Sequence, residues 1–378
     1  MKILFLTDGL APFVIGGMQQ HSTMMVKHLA PHVDEITVMH CGYPNEEPAS
    51  DSDVLGVLGS PSNVSVFGFV FNDRSSFPGH YVRASKKYSL NLYNTISNDL
   101  SSFDMVYAQG FTGYSFLGRH TCLVSNLHGL NMFQPSFSLS EKSDKILLRP
   151  IARKILLNSS HVISLGGNLT ETINRLGVNN KRILVSQNGI ESKYILSSSE
   201  LKQNLKEIDS KFLRIIFIGR NDKVKGLTVL RQALSKITSS VHLTLVGEFG
   251  TIESNSHAIE NVGVIKSKDE LFKRVDSSHV LVVPSLSEGM PTIILEAMAR
   301  GKAIIATDVG AVSELVDESN GRLIPPNDVK ALADAINQIK ADIVEKGSNR
   351  SLSKVTSFTW GEIVGEFLDE IKLTLRNS

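Results

Sequence analysis

Glu288 and Glu296 stand eight positions apart in the stretch Ser287-Glu288-Gly289-Met290-Pro291-Thr292-Ile293-Ile294-Leu295-Glu296-Ala297-Met298. A carboxylate accepts several hydrogen bonds and sugars offer hydroxyls in pairs, so two such groups suit a hydroxyl-rich ligand. Pro291 fits the first turn of a helix, where its fixed φ is helical and its missing N–H has no partner to lose. Glu288, Gly289 and Met290 then lie in the loop ahead of that helix, where unpaired backbone N–H groups and the helix dipole face a ligand. Glu296 falls on the second turn. An isolated Glu pair of this kind is more often a helix cap and a surface residue. Here Ile293, Ile294, Leu295, Ala297 and Met298 make the helix apolar nearly all round, so Glu296 is expected to be partly buried and to need partners.

Three other places carry candidate chemistry. Arg220 and Lys225, in Arg220-Asn221-Asp222-Lys223-Val224-Lys225-Gly226, follow an apolar run and precede a helical one, so both cations could converge on a diphosphate held at a helix N-terminus. Most Arg/Lys pairs in loops are simply solvated; the position after a strand raises this one. Gly16-Gly17 opens the first helix, and its missing side chains could let backbone N–H groups approach an anion, although a plain glycine turn explains it equally well. His128 precedes Gly129 at a strand end, where it could reach a ligand rather than act as an ordinary packing histidine.

The elements that must position these residues read as alternating α/β. Short Val/Ile-rich runs predict strands at 3–6, 36–39, 64–70, 105–108, 123–126, 162–165 and 183–186, with helices at 18–29 and 86–100. A polar segment, 193–211, is either a short helix or a linker. The pattern restarts at Leu213 with further strands at 243–246, 280–283, 303–306 and 322–324, and helices at 227–237, 269–275, 292–299 and 329–344. A last amphipathic helix, 359–375, carries Trp360, Ile363, Val364, Phe367, Leu368, Ile371 and Leu375 on one stripe. Ligands of such sheets bind beyond the strands' carboxyl ends, where all four candidate places fall.

At 378 residues the chain suits two domains. Its hydrophobic content of 42% and charged content of 20% are those of a globular protein, and a net charge of +1 gives no basic field for nucleic acid. Cys41 and Cys122 are isolated, with no zinc spacing, and are expected to be buried free thiols of a reducing cytoplasm. The start reads as a buried strand rather than a signal peptide, because Asp8 interrupts the apolar run. No apolar stretch approaches the ~20 residues that span a bilayer. A Gly-x-Gly-x-x-Gly between first strand and first helix is missing, as is Gly-x-x-x-x-Gly-Lys-Ser/Thr, which argues against nicotinamide, flavin and P-loop chemistry.

Together these residues resemble glycosyltransferase family 4, whose signature is the E-x(7)-E spacing of Glu288 and Glu296. The likeness runs through Phe217-Ile218-Gly219-Arg220, Lys225-Gly226, Leu245-Val246-Gly247, Val283-Pro284-Ser285, Gly301 to Thr307, Gly310, Glu314-Leu315-Val316 and Gly321. In the first half it is looser: Gly16-Gly17, His128-Gly129, Val162-Ile163-Ser164 and Gln187-Asn188-Gly189-Ile190, with Met18, Gln19 and Gln20 where relatives often carry an acid. The resemblance implies an α/β glycosyltransferase-B fold, two Rossmann-like domains facing across a cleft. The N-terminal acceptor domain would span 1–190 plus a returning C-terminal helix, 359–376, and the C-terminal nucleotide-sugar domain 191–358.

It implies a retaining transfer from a UDP- or GDP-sugar to a hydroxyl of a glycan or lipid-linked acceptor, in bacterial surface polysaccharide or lipopolysaccharide synthesis. Glu288 would hold the sugar's hydroxyls and Glu296 the ribose, while Arg220 and Lys225 neutralise the diphosphate. Gly16, Gly17, Gly289, Met290, Pro291 and Thr292 would line the donor, and His128 would lie at the reaction centre. With no metal-binding Asp-x-Asp at the candidate places, neither a metal nor another cofactor is expected. The basic amphipathic segment 142–157 could touch an anionic membrane, although packing on its own sheet is favoured. The expected location is cytoplasmic, with peripheral contact at the inner face of the cell membrane. An epimerase or phosphorylase of the same fold, or an inactive binding subunit, are the competing readings.

Overall fold

The computed structural model describes residues 1–73, 77, 79–207, 212–250 and 256–376, without the side chains of Glu207 and Asp342. It divides into two compact units, Met1–Asn188 with Trp360–Ser378, and Gly189–Thr359.

The first unit holds a seven-stranded parallel sheet. Its strands and helices run β1 (Lys2–Leu6), α1 (Gly17–Leu29), β2 (Glu35–Cys41), α2 (Asp51–Leu58), β3 (Val64–Phe69), α3 (His80–Ile96), β4 (Met105–Gln109), β5 (Leu123–Asn126), α4 (Leu139–Asn158), β6 (His161–Ser164), α5 (Gly167–Arg175) and β7 (Ile183–Val185). Strand order is β3-β2-β1-β4-β5-β6-β7, and every pairing is parallel. The central strands are apolar throughout because both faces are covered: β1 and β4 are buried from Ile3 to Leu6 and from Met105 to Gln109.

The second unit runs α6 (Ser198–Glu207), β8 (Leu213–Ile218), α7 (Leu227–Leu234), β9 (Val241–Val246), β10 (Ala258–Gly263), α8 (Lys268–Asp276), β11 (Val280–Val283), α9 (Thr292–Ala299), β12 (Ala303–Thr307), α10 (Val312–Leu315), β13 (Gly321–Ile324), α11 (Val329–Gln338) and α12 (Ala341–Val355). Its six parallel strands lie in the order β10-β9-β8-β11-β12-β13. The chain then closes with α13 (Trp360–Arg376), which packs on α1 in the first unit.

Several expectations change. The helix expected at 86–100 begins earlier and ends earlier, at His80 and Ile96, with Gly79 in the left-handed conformation at its start. The helix expected at 329–344 is two helices, broken at Ile339-Lys340, where the backbone turns extended. Ser198 to Glu207 of the polar segment is helical, and 208–211 lies outside the described residues. Strand β10 has no counterpart among the expected strands: Ala258-Ile259-Glu260-Asn261-Val262-Gly263 is an exposed edge, so it lacks the apolar run that marks the others.

Helix α4 contains the basic segment 142–157 and seats Ile151, Ala152, Ile155 and Leu156 in the core. Three of its cations have local partners. Lys145 pairs with Glu141 at 2.6 Å and donates to Pro135 O, Arg149 donates to Met132 O, and Lys154 lies 5.0 Å from the centre of the Tyr114 ring. Leu139, Ile146 and Leu147 stay exposed. Cys41 and Cys122 are free and buried, and no helix among the described residues is long and apolar enough to cross a membrane.

Candidate active site

In the second unit the loops at the carboxyl ends of β8, β11 and β12 are tied to one another. Leu286 N–H donates to Val224 O at 2.7 Å, joining the β11 loop to the β8 loop, and Ala311 N–H donates to Gly289 O at 2.7 Å, joining it to the β12 loop. Two glycines make these approaches possible. A Cβ on Gly310 would sit 2.3 Å from both Glu288 O and Gly289 O, and one on Gly226 would sit 1.9 Å from Pro284 O; both residues also have positive φ. Pro291 stands just ahead of α9 in an extended conformation, one residue earlier than the first-turn position expected for it.

This framework fixes the two carboxylates. Glu288 Oε1 accepts 2.7 Å hydrogen bonds from Lys225 Nζ and from Ser285 Oγ. Lys225 therefore holds a signature carboxylate, a partner the sequence reading did not assign to it. Arg220, at the end of the β8 strand, is exposed and has no ion-pair partner among the described residues. Met290 and Pro291 are buried, Gly289 and Thr292 half-buried, all at the start of α9.

Glu296 is 7% exposed on α9, between Leu295 and Ala297, which are fully buried. Burial raises its carboxyl above the usual range, and the ion pair with Lys268 acts in the opposite direction. Lys268 Nζ contacts Glu296 Oε1 and lies 5.7 Å from the centre of the Phe272 ring. The sequence reading passed over Lys268. One signal for it was present: it opens α8, where the helix dipole favours acids such as Asp269 and Glu270 rather than a cation.

In the first unit Gly16 precedes α1 and Gly17 begins it, one residue before the expected start. Both are exposed, and a Cβ on Gly17 would touch nothing within 4 Å. Beside them Gln19 Nε2 donates to Asp8 Oδ1 at 3.2 Å, and burial pushes the Asp8 carboxyl up to about 6. His128 is half-buried with φ 51°, its N–H donating to Asn126 Oδ1 and its Nε2 against Gln109 Oε1. Its ring stands 4.9 Å edge-on from His21, which is 3.0 Å from Asn188 Oδ1 through Nδ1 and 3.4 Å from the Tyr107 hydroxyl through Nε2. Burial holds His128 well below the usual imidazole value, with His21 adding to the effect, and brings His21 down to about 4. Both rings are neutral at pH 7. His21, Gln109 and Asp8 come from separate elements, so no local spacing marks them.

The structure thus brings Lys225, Ser285 and Glu288 together, and pairs Glu296, on the helix α9 that follows, with Lys268 at the start of α8. Among the described residues no group of three or more His, Cys, Asp or Glu side chains could hold a metal ion.

Residues 213–342 match the family described as glycosyl transferases group 1. The chain is 27% identical over 209 residues to the D-inositol 3-phosphate glycosyltransferase of Paenarthrobacter aurescens, covering 50% of this chain and 51% of that protein. It is 26% identical over 197 residues to the capsular polysaccharide biosynthesis glycosyltransferase CapM of Staphylococcus aureus, covering 47% and 52%. It therefore spans about half the length of these curated relatives. Among solved structures, sucrose-phosphate synthase from Thermosynechococcus elongatus aligns over 100% of both chains with a TM-score of 0.75 at 18% identity. The Anabaena protein HepE, solved in complex with UDP, aligns over 99% of this chain and 100% of its own with a TM-score of 0.63 at 20% identity. The two parallel-sheet, Rossmann-like domains are those of the glycosyltransferase-B fold, and the match of residues 213–342 to the glycosyl transferases group 1 model is in keeping with the resemblance to glycosyltransferase family 4.

Proposed function

We propose that the chain is a retaining glycosyltransferase that moves a sugar from a nucleoside diphosphate sugar to a hydroxyl of a glycan or lipid-linked acceptor. The observation that carries this reading is the Glu288 site, a carboxylate oriented by Lys225 and Ser285 at the start of α9. A carboxylate held by two donors still has lone pairs to accept hydroxyls of a hexose. The Lys225 ammonium beside it, the exposed Arg220 guanidinium and the first N–H groups of α9 are positive groups, which is what departure of a nucleoside diphosphate requires. In this reading Glu288 holds the transferred sugar, Arg220 and Lys225 the diphosphate, Glu296 the ribose, and Gly289, Met290, Pro291 and Thr292 the donor's path between them. The relative named for capsular polysaccharide biosynthesis and the UDP complex of HepE support a surface-polysaccharide role and a nucleotide donor.

The first unit takes the acceptor, with Gly16, Gly17 and the neutral His128 among its candidate contact groups. As the resemblance to glycosyltransferase family 4 implies, retention proceeds on one face of the sugar, with the leaving phosphate oxygen assisting the incoming hydroxyl. Transfer needs no metal, and an assay in excess chelator should show unchanged turnover. Contact with an anionic membrane through the exposed Leu139, Ile146 and Leu147, flanked by Lys142 and Arg153, would bring a lipid-linked acceptor within reach. Flotation with anionic vesicles checks that contact; recovery of the protein only in the bottom fraction rules it out.

The decisive assay for the reaction screens nucleotide sugars with purified protein and follows nucleoside diphosphate release in the presence of acceptor extracts. Transfer with retained anomeric configuration supports the reading. Inversion of configuration, or release of free sugar 1-phosphate, refutes it.

A further inference from the structure

Lys268 sits where a helix disfavours it. It is the first residue of α8, a position at which the unpaired N–H groups and the dipole repel a cation, and the acids that suit this turn, Asp269 and Glu270, follow directly. Ser267 caps the helix by accepting from Glu270 N–H, so Lys268 contributes nothing to the cap. What holds the ammonium is tertiary. Its Nζ contacts Glu296 Oε1, and it lies near the face of Phe272, one turn along α8 and itself buried against Tyr194.

Glu296 has the complementary need. It is almost completely buried in an otherwise apolar helix, and a buried carboxylate without a counter-charge takes up a proton. Lys268 is its one charged partner among the described residues, and only Oε1 is engaged; Oε2 has no hydrogen-bond partner among them. An ionised carboxylate with one oxygen pinned and the other open is the form that accepts a pair of vicinal hydroxyls.

We infer that Lys268 is the positioning residue of the ribose subsite: by pairing with Glu296 Oε1 it keeps that carboxylate ionised and turned so that Oε2 receives the ribose 2′- and 3′-hydroxyls of the donor. This rests on the reading that Glu296 takes the ribose. The ligand class is a ribonucleoside diphosphate, and the inference assigns Lys268 an effect on the sugar of the nucleotide and none on the phosphates.

Calorimetric titration of UDP, GDP and ADP identifies the tightest binder, which is then compared with its 2′,3′-dideoxy counterpart on the wild type, Lys268→Met, Lys268→Arg and Glu296→Gln. Lys268→Met should weaken the ribonucleotide on the order of tenfold to a hundredfold, the range of a hydrogen bond to a charged group. It should leave the dideoxy form within about twofold of wild type, because no hydroxyl remains to be lost. Lys268→Arg should restore most of the ribonucleotide affinity. Equal loss for both nucleotides would overturn the inference, since it would make Lys268 a general structural or phosphate-binding residue. Should Lys268→Met fail to fold, Lys268→Met combined with Glu296→Gln removes both charges together; ribonucleotide affinity equal to that of Glu296→Gln alone is then expected, and a further loss contradicts it. If the wild type binds the dideoxy form as tightly as the ribonucleotide, the assignment of Glu296 to the ribose fails. If none of the three nucleotides binds, the donor reading fails, and the inference falls with it in either case.

Discussion

Glu288 is held from two sides before any ligand arrives, by the Lys225 ammonium and the Ser285 hydroxyl. Such pre-orientation is what a carboxylate needs if it is to act on a sugar without first ordering itself. Glu288→Ala should lower turnover on the order of a hundredfold or more, comparable to removing one fixed group from a transition-state site, while melting stays near wild type. A variant with near-normal turnover on an identified donor would remove Glu288 from the mechanism. The paired histidines of the first unit carry a prediction of their own. His21, brought from 6.5 to about 4 by burial, and His128, held well below 6.5, stay neutral when folded but protonate when unfolded. The unfolded state then binds more protons, so stability present above pH 6.5 is lost as the pH falls from 6.5 towards 4. Each histidine adds a slope of up to about 1.4 kcal/mol per pH unit. Urea midpoints measured between pH 7 and pH 5 should fall less steeply for His21→Gln than for the wild type.

At the scale of elements, the candidate site is three strand-to-helix loops packed on one another, and Gly310 is where two of them meet. Its positive φ and the two carbonyl oxygens 2.3 Å from any added Cβ leave no room for a side chain. Gly310→Ala should cost about 1–3 kcal/mol of stability and displace the Glu288–Gly289 segment, so nucleotide affinity falls together with the melting temperature. A thermal melt and a binding titration on the same sample check both. The same loops show what could be read in the sequence. Strands β11 and β12 are runs buried throughout, and the E-x(7)-E spacing follows β11, so the candidate site's place at the strand ends was legible. Strand β10 was not, because an edge strand faces water and has no apolar signature. The break between α11 and α12 was hidden for a different reason: Ile339-Lys340 contains neither Gly nor Pro, and the apolar spacing continues across it. Lys225 was legible as a loop cation but its partner was not, since the pairing joins loops 63 residues apart.

At the scale of the whole molecule, the chain leaves the first unit after Asn188, builds the second, and returns at Trp360. The two crossings are adjacent: Ile190 bridges Thr359 in parallel, and Ile190 N–H donates to Phe358 O at 2.8 Å. Helix α13 then completes the first unit's core with Trp360, Ile363, Val364, Phe367, Leu368 and Ile371, all buried, and Phe367 meets Tyr107 edge-on at 5.7 Å. Its amphipathic stripe was plain in the sequence, whereas the unit that receives it followed only from the family resemblance, because the stripe itself does not name its partner. Phe367→Ala should destabilise the first unit by about 3–5 kcal/mol. Trp360 is the chain's single tryptophan and stands 5.3 Å edge-on from His21, so its fluorescence reports that unit's unfolding; an unmoved transition would contradict the packing. In the second unit the proposed role of the two signature carboxylates is to hold a nucleotide sugar. Calorimetric titration of UDP, GDP and ADP into the wild type and Glu296→Gln tests it most directly. Saturable binding of at least one nucleotide, weakened about tenfold or more by Glu296→Gln, is the predicted result; no binding by the wild type, or equal binding by the variant, would contradict it.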